Sequence, residues 1–356
     1  MKVVIFAYYL LYIFFDMKKK ILVTGGTGYI GSHTAVELIE NGYEVLIIDN
    51  LSNSKLEVLD GIESITGIRP LFYQFDLCDR EALNIFFGKQ PDIEAIIHFA
   101  ASKAVGESVE KPLMYYKNNL VSLMNLLDLM GDKHASNIVF SSSCTVYGQP
   151  DQLPVTEQSP IKPAESPYGN TKQISEEIIQ DAIHANQTLN AIALRYFNPV
   201  GAHPSAKIGE LPLGVPNNLV PFITQTGAGI REEIQVFGDD YDTPDGSAIR
   251  DYIHVVDLAK AHVVAVERMT GENQKKHFEI FNLGTGNGFS VLEVINAFEK
   301  STGVKLKYHI TGRRSGDIEK VWADTSFANT ELGWKAKLDL DTMMASAWKW
   351  QQHLLE

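Results

Sequence analysis

From Lys20 onward, short runs of β-branched and large apolar residues alternate with stretches whose apolar positions recur every three or four residues. Ile21-Leu22-Val23 and Glu44-Val45-Leu46-Ile47-Ile48 read as strands, with a helix near Ile30 to Asn41 between them. Further buried strands are expected at Leu71 to Phe75, Ala95 to Phe99, Asn137 to Ser141 and Ala191 to Tyr196. Helices near Arg80 to Phe87, Leu113 to Met130 and Tyr168 to Ala185 separate them. Strands that alternate with helices need crossover connections, which predicts an α/β fold on a parallel sheet. Six such strands make a doubly wound sheet of the Rossmann type.

After about Asn198 the texture changes to proline and glycine punctuation: Pro199, Gly201, Pro204, Gly209, Pro212, Gly214 and Pro216. Helices return near Leu219, Val255, Ser290 and Leu340. The expected division is a dinucleotide-binding domain over 17–197 and a smaller, mixed α/β substrate-binding domain over 198–356, with the chain returning to the first domain near 251–265. Chemistry is expected where the two meet. The apolar run Val3 to Phe15 is shorter than the roughly 20 residues that span a bilayer, and no small-residue cleavage site follows it. Residues 1–16 are therefore read as a dispensable extension, with Met17 as the alternative start and no stable membrane association.

The formal charge of −13 offers polyanions no general attraction, which argues against a nucleic-acid partner. Anionic small molecules remain open, because a few placed arginines suffice for them. The only cysteines are Cys78 and Cys144, too few for a disulfide framework, so a reducing cytoplasm is the expected location. No metal site is expected.

The first strand runs into Thr24-Gly25-Gly26-Thr27-Gly28-Tyr29-Ile30-Gly31 and then a helix. Glycines at that junction let the backbone approach a pyrophosphate at the positive end of the helix, so Gly25, Gly28 and Gly31 are cofactor candidates. A glycine triplet also makes ordinary tight turns; the strand before it and the helix after it favour the binding reading. Asp49 ends the second strand, where a carboxylate accepts from an adenosine ribose and repels a 2′-phosphate, favouring NAD over NADP. A plain strand-terminal turn is the competing reading of Asp49-Asn50. Asp76, after the third strand, is placed to meet an adenine edge or to close a loop.

Tyr168 and Lys172 stand four residues apart at the start of a helix, hence on one face. A cation beside a phenol stabilises its phenolate, so this tyrosine is expected to have a lowered pKa and to serve as a general base. That spacing is common by chance. Ser141-Ser142-Ser143, at the carboxyl end of an upstream parallel strand, strengthens it by presenting a hydroxyl to the same crevice.

With the glycine turn, the serine run and the Tyr168/Lys172 pair in chain order, the sequence resembles the extended short-chain dehydrogenase/reductases, and among them the UDP-glucose (UDP-galactose) 4-epimerase family. The resemblance runs from Met17 onward and includes Gly25 to His33, Ile97 to Val109, Ser141 to Gly148, Arg195 to His203, Pro216 to Leu219 and Arg250 to His254. It implies that Tyr168 takes the proton from the sugar C4 hydroxyl, that Ser143 holds that oxygen, and that Lys172 binds the nicotinamide ribose. NAD would accept the hydride and return it to the other face of the 4-keto sugar. The resemblance further implies cofactor contacts from Tyr29, Ile30, Asn50, Leu77, Phe99, Ala100, Ala101, Lys103, Asn118 and Phe197. It assigns UDP-sugar contacts to Asn198, Asn218, Phe237, Arg250, Arg314 and Asp317, and it places Val321 beside the sugar C2 substituent. A small side chain there would admit UDP-N-acetylhexosamines.

Related dehydratases and decarboxylases carry an acidic residue one or two places after the catalytic hydroxyl; here those places hold Cys144 and Thr145. A non-catalytic, NAD-sensing protein is the other alternative, and retention of Ser143, Tyr168 and Lys172 together argues against it. The resemblance also implies a homodimer formed through the helices near 113–130 and 168–185, and a place in galactose or other carbohydrate metabolism.

Overall fold

The structure, a computed structural model, describes residues 18–131, 134–271, 273–313 and 318–356. The expectations for the 1–16 extension and for Arg314 and Asp317 concern residues outside those described.

Seven parallel strands form the main sheet: β1 (Lys20–Thr24), β2 (Glu44–Asp49), β3 (Leu71–Gln74), β4 (Ile93–His98), β5 (Asn137–Ser143), β6 (Asn190–Tyr196) and β10 (Phe278–Leu283), in the order β10-β6-β5-β4-β1-β2-β3. Order reverses between β1 and β4, which opens a crevice at their carboxyl ends. The inner strands β1, β2 and β4 are largely apolar because both faces are covered, whereas β3 at the edge is only partly buried. On one face Ile21, Val23, Val45, Ile47, Ile97 and Leu194 join a core with α1 (Tyr29–Glu40), α2 (Val58–Thr66) and α8 (Val255–Thr270). On the other, Leu22, Leu46, Ile48, Ile96 and Phe140 pack with α3 (Arg80–Lys89), α5 (Pro112–Leu129) and α6 (Pro167–Ala185).

The expectation of six strands is corrected to seven. β10 comes from far down the chain, and it joins the sheet because α8 first crosses back and packs along α1. Its Phe281 and Leu283 enter one core while Phe278 and Ile280 lean on the other. Two short helices, α2 and α4 (Val105–Glu110), were not anticipated. Gly61 disguised α2; it is needed there because a Cβ would stand 2.5 Å from the Lys207 carbonyl oxygen.

The remaining elements are smaller. β9 (Ile249–His254) pairs in parallel with β7 (Asn198–Val200) and β13 (Lys320–Val321) and antiparallel with β11 (Gly288–Ser290). β8 (Ile234–Phe237) pairs with β12 (Tyr308–Thr311). Around them α7 (Leu219–Gly227), α9 (Val291–Thr302) and α10 (Leu340–His353) enclose a separate core that includes Ile223, Phe298, Met343 and Met344. No helix among the described residues is long and apolar enough to cross a membrane.

Candidate active site

The glycine turn between β1 and α1 is packed so closely that side chains have no room. Gly25 has φ +70°, and a Cβ there would lie 2.8 Å from the Ala100 nitrogen; one on Gly31 would lie 2.3 Å from the Gly25 carbonyl oxygen. Gly28 stands at the N-cap of α1 and no side chain caps that helix, so the amides of Tyr29, Ile30 and Gly31 form its unshielded positive end. These features fit a dinucleotide diphosphate.

Around the cradle, Phe99, Ala100 and Ala101 follow β4, with the Phe99 amide donating to the Thr24 carbonyl at 3.0 Å. Lys103 lies 5.8 Å from the Tyr29 ring centroid, and the Tyr29 hydroxyl donates to the Gly201 carbonyl at 2.6 Å. Asn118, on α5, donates to Ser102 Oγ at 3.3 Å. Asp49 accepts from the Thr27 amide at 3.3 Å, the Leu51 amide at 2.9 Å and Ser54 Oγ at 3.2 Å. The turn-closing role considered for Asp49 is therefore realised, and the carboxylate also ties the end of β2 to the glycine turn. Asn50 donates to Asp76 Oδ2 at 3.2 Å, and Asp76 Oδ1 accepts from the Cys78 amide at 2.8 Å. Leu77 is buried beside them.

Ser143 ends β5, and α6 begins with Ser166 as N-cap, its hydroxyl accepting from the Gly169 amide at 3.1 Å, and Pro167 in the first turn. This start aims Tyr168 and Lys172 at the serine strand. The Ser143 hydroxyl acts on Tyr168 to favour its phenolate, while Lys172 Nζ is 5.9 Å from the Tyr168 ring centroid and donates to the Ser141 carbonyl at 2.5 Å.

The expected lowering of the tyrosine pKa is corrected: burial pushes Tyr168 up to about 12 although the Ser143 hydrogen bond pulls it down. Burial lowers Lys172 to about 7, with the Glu176 carboxylate raising it. Desolvation outweighs the neighbouring charge, because Lys172 is turned to a backbone carbonyl in an apolar pocket against Phe140.

Opposite stand the substrate-side candidates. Asn198 opens β7, and Asn218 is the N-cap of α7. Phe237 ends β8, and Arg250 lies in β9 with Nη1 donating to the Ile249 carbonyl at 2.8 Å. Val321 is buried with Val146, Tyr147, Val155 and Phe197. Arg313 donates to Asp240 at 2.7 Å and covers the Tyr241 ring at 4.1 Å.

Sequence reasoning missed three acidic residues here. Glu210 Oε1 accepts from both Lys103 Nζ at 3.2 Å and Asn218 Nδ2 at 2.8 Å, linking the cofactor and substrate candidates. Asp251, fully buried, accepts from Thr285, Gly286 and Ala323. Glu176 pairs with Arg195 inside the protein, and its only sequence signal is a carboxylate four residues after Lys172.

A glycine cradle at the strand-order reversal, with serine, tyrosine and lysine at the neighbouring strand end, defines the class: an extended short-chain dehydrogenase/reductase. Residues 22–347 match the model of a family described as GDP-mannose 4,6 dehydratase. A UDP-glucose 4-epimerase of Bacillus subtilis is 51% identical over 331 residues, which cover 93% of this chain and 96% of that protein. The crystal structure of UDP-glucose 4-epimerase from Bifidobacterium longum, in complex with NAD+ and UDP, superposes with a TM-score of 0.90 at 47% identity, covering 94% of this chain and 98% of its own. The structure of the UDP-Glc/GlcNAc 4-epimerase from Campylobacter jejuni gives a TM-score of 0.80 at 37% identity, covering 94% of this chain and 99% of its own. The chain belongs to this family, and within it to the UDP-glucose 4-epimerases.

Proposed function

We propose that this chain interconverts UDP-galactose and UDP-glucose through a 4-keto sugar, using bound NAD. The observation that carries the reading is Tyr168, whose pKa the Ser143 hydroxyl at the end of β5 pulls down, at the start of α6 one helical turn from Lys172 and beside the crevice that holds the glycine cradle. Gly25, Gly28, Gly31 and the amides of α1 would hold the NAD diphosphate, with Tyr29, Ile30, Asp49, Asn50, Asp76, Leu77, Phe99, Ala100, Ala101, Lys103, Asn118 and Phe197 around it. NAD supplies the hydride acceptor and donor. Tyr168 takes the C4 hydroxyl proton, Ser143 steadies that oxygen, and Lys172 orients the ribose and supports the phenolate. Turning the keto sugar about its link to the diphosphate presents its other face, so the proton and hydride return with C4 inverted.

Dehydration would need a positioned acid beside Ser143. Cys144 and Thr145 stand there, and burial raises the Cys144 thiol to about 12. Asn198, Asn218, Phe237, Arg250, Arg314 and Asp317 are the proposed UDP-sugar contacts, the arginines matching a diphosphate. Valine at 321 supports turnover of UDP-N-acetylhexosamines as well. The domain division proposed is 17–197 for NAD and 198–356 for UDP-sugar, with the chain crossing back near 251–265. A homodimer through α5 and α6 is supported by Leu113, 81% exposed at the start of α5, with Met114 and Met124 also exposed on that helix. A cytoplasmic place in galactose metabolism accords with two free cysteines and this reaction.

The test is incubation of the purified protein with UDP-galactose without added cofactor, and chromatography of the products. Conversion to UDP-glucose is expected, falling about 10²–10⁴-fold in Tyr168→Phe. No conversion even after adding NAD would overturn the reading.

A further inference from the structure

Beneath the catalytic pair lies a buried polar chain that the proposed reaction does not use. Glu176 follows Lys172 by four residues and Tyr168 by eight, so all three share one face of α6. Glu176 Oε1 accepts from Ser142 Oγ at 2.5 Å and from Arg195 Nε at 2.9 Å, and Oε2 accepts from Arg195 Nη2 at 2.5 Å. Arg195 Nη1 donates to the Tyr147 hydroxyl at 3.0 Å, and that hydroxyl donates to Asn282 Oδ1 at 2.6 Å. Asn282 Nδ2 donates to the Val155 carbonyl at 3.0 Å, and the Val155 amide donates to the Trp322 carbonyl at 2.9 Å.

Two features give this chain a bearing on catalysis. Ser142 sits between Ser141, whose carbonyl receives Lys172, and Ser143, which meets Tyr168. One carboxylate therefore ties the serine strand to the helix that faces it. It is also the anion acting on Lys172 in an apolar pocket, where an unbalanced ammonium is strongly disfavoured.

We propose that Glu176 is a positioning residue for the reaction: clamped by Arg195 and Ser142, its carboxylate keeps the buried Lys172 ammonium charged and holds the serine strand in register with Tyr168. This rests on the assignment of Lys172 as the cation that supports Tyr168.

The groups that face the pair are accounted for. Lys172 meets the Phe140 and Tyr168 rings and the Ser141 carbonyl. Burial lowers His98, on β4, to about 3, with the Lys172 charge acting in the same direction, so it stays neutral. Tyr196, on β6, bonds the Ser141 hydroxyl, and burial raises it far above its ordinary range. Glu176 faces Arg195 and Ser142, and Arg195 faces Tyr147, on which Glu157 also acts.

Activity that needs the ammonium falls as pH rises through the Lys172 pKa. Glu176→Gln should move that alkaline limb of the kcat profile about one unit toward acid, about tenfold in rate on the limb. Arg195 then remains buried without its counter-charge. Glu176→Gln/Arg195→Gln removes both charges and keeps hydrogen-bonding amides, so it should fold where the single variant does not and should still move the limb, by less. Glu176→Asp should restore it. A purely structural role lowers kcat at every pH and leaves the limb in place; an unmoved limb in the double variant overturns the proposal. Tyr168→Phe run alongside separates the two claims. An inactive Tyr168→Phe with an unmoved limb sinks the role of Glu176 alone, whereas wild-type turnover by Tyr168→Phe sinks the base assignment beneath it.

Discussion

The two sides of the crevice are built differently. On the dinucleotide side, candidates sit at the ends of long parallel strands: Gly25 after β1, Asp49 on β2, Phe99 after β4 and Ser143 on β5. On the nucleotide-sugar side they come from short elements that pair with distant partners: Asn198 with Tyr252 across β7 and β9, Arg250 with Val321 across β9 and β13. A strand covered on both faces places the residue at its end without help from elsewhere, whereas a two- or three-residue strand is placed by its neighbours. Precision on the first side is local, and on the second it is collective.

The largest expected effect asks whether the two sides are separate at all. Burial lowers His33 and His98 to about 3, and His254 and His262 to about 4. Each folded pKa lies below the ordinary 6.5, so the unfolded chain binds more protons and stability, complete above about pH 6.5, is lost as pH falls toward these values. His33 belongs to α1 and His262 to α8, which packs along it. One cooperative acid transition, followed by circular dichroism and tryptophan fluorescence, is expected; two resolved transitions would break the coupling between the regions.

Next in size is Gly31→Ala. A Cβ 2.3 Å from the Gly25 carbonyl forces the cradle apart, so NAD content after gel filtration should fall to near zero and Tm should drop. Full NAD retention would show the cradle to be softer than its packing implies. Arg250→Met should be milder and specific to the other side: KM for UDP-galactose rises about tenfold or more while bound NAD is unchanged, consistent with about 1.5–3 kcal/mol for a charge-assisted hydrogen bond. A fall in kcat at constant KM would remove Arg250 from substrate binding. Smallest on the main reaction is Val321→Tyr, which should leave UDP-galactose turnover within about threefold and abolish turnover of UDP-N-acetylglucosamine if the small side chain admits it. Because Val321 packs against Val155 and Phe197, a general loss of activity would instead mark it as part of the wall.

The glycine turn, the serine strand and the Tyr168/Lys172 helix were legible because each is a local pattern with a mechanical reason. β10 was not assigned to the main sheet, since its apolar run says strand but nothing in it says which sheet. The direction of the Tyr168 shift was misread for a related reason: spacing reveals that a cation is one turn away, not how much water both groups lose. Glu210 and Glu176 passed unnoticed because their partners, Lys103, Asn218 and Arg195, are adjacent only in space.

By itself, the sequence determined the parallel α/β architecture, the glycine turn between β1 and α1, and the placing of Ser143 at a strand end and of Tyr168 and Lys172 at a helix start, because strand periodicity, glycine sterics and helical spacing act over a few residues. The tertiary structure alone decided the seventh strand, the charge balance beneath Lys172 and the pairing of β7, β9 and β13 that arranges the candidate sugar-side residues. Those depend on burial and on contacts between residues far apart in the chain, where desolvation and packing outweigh any local preference.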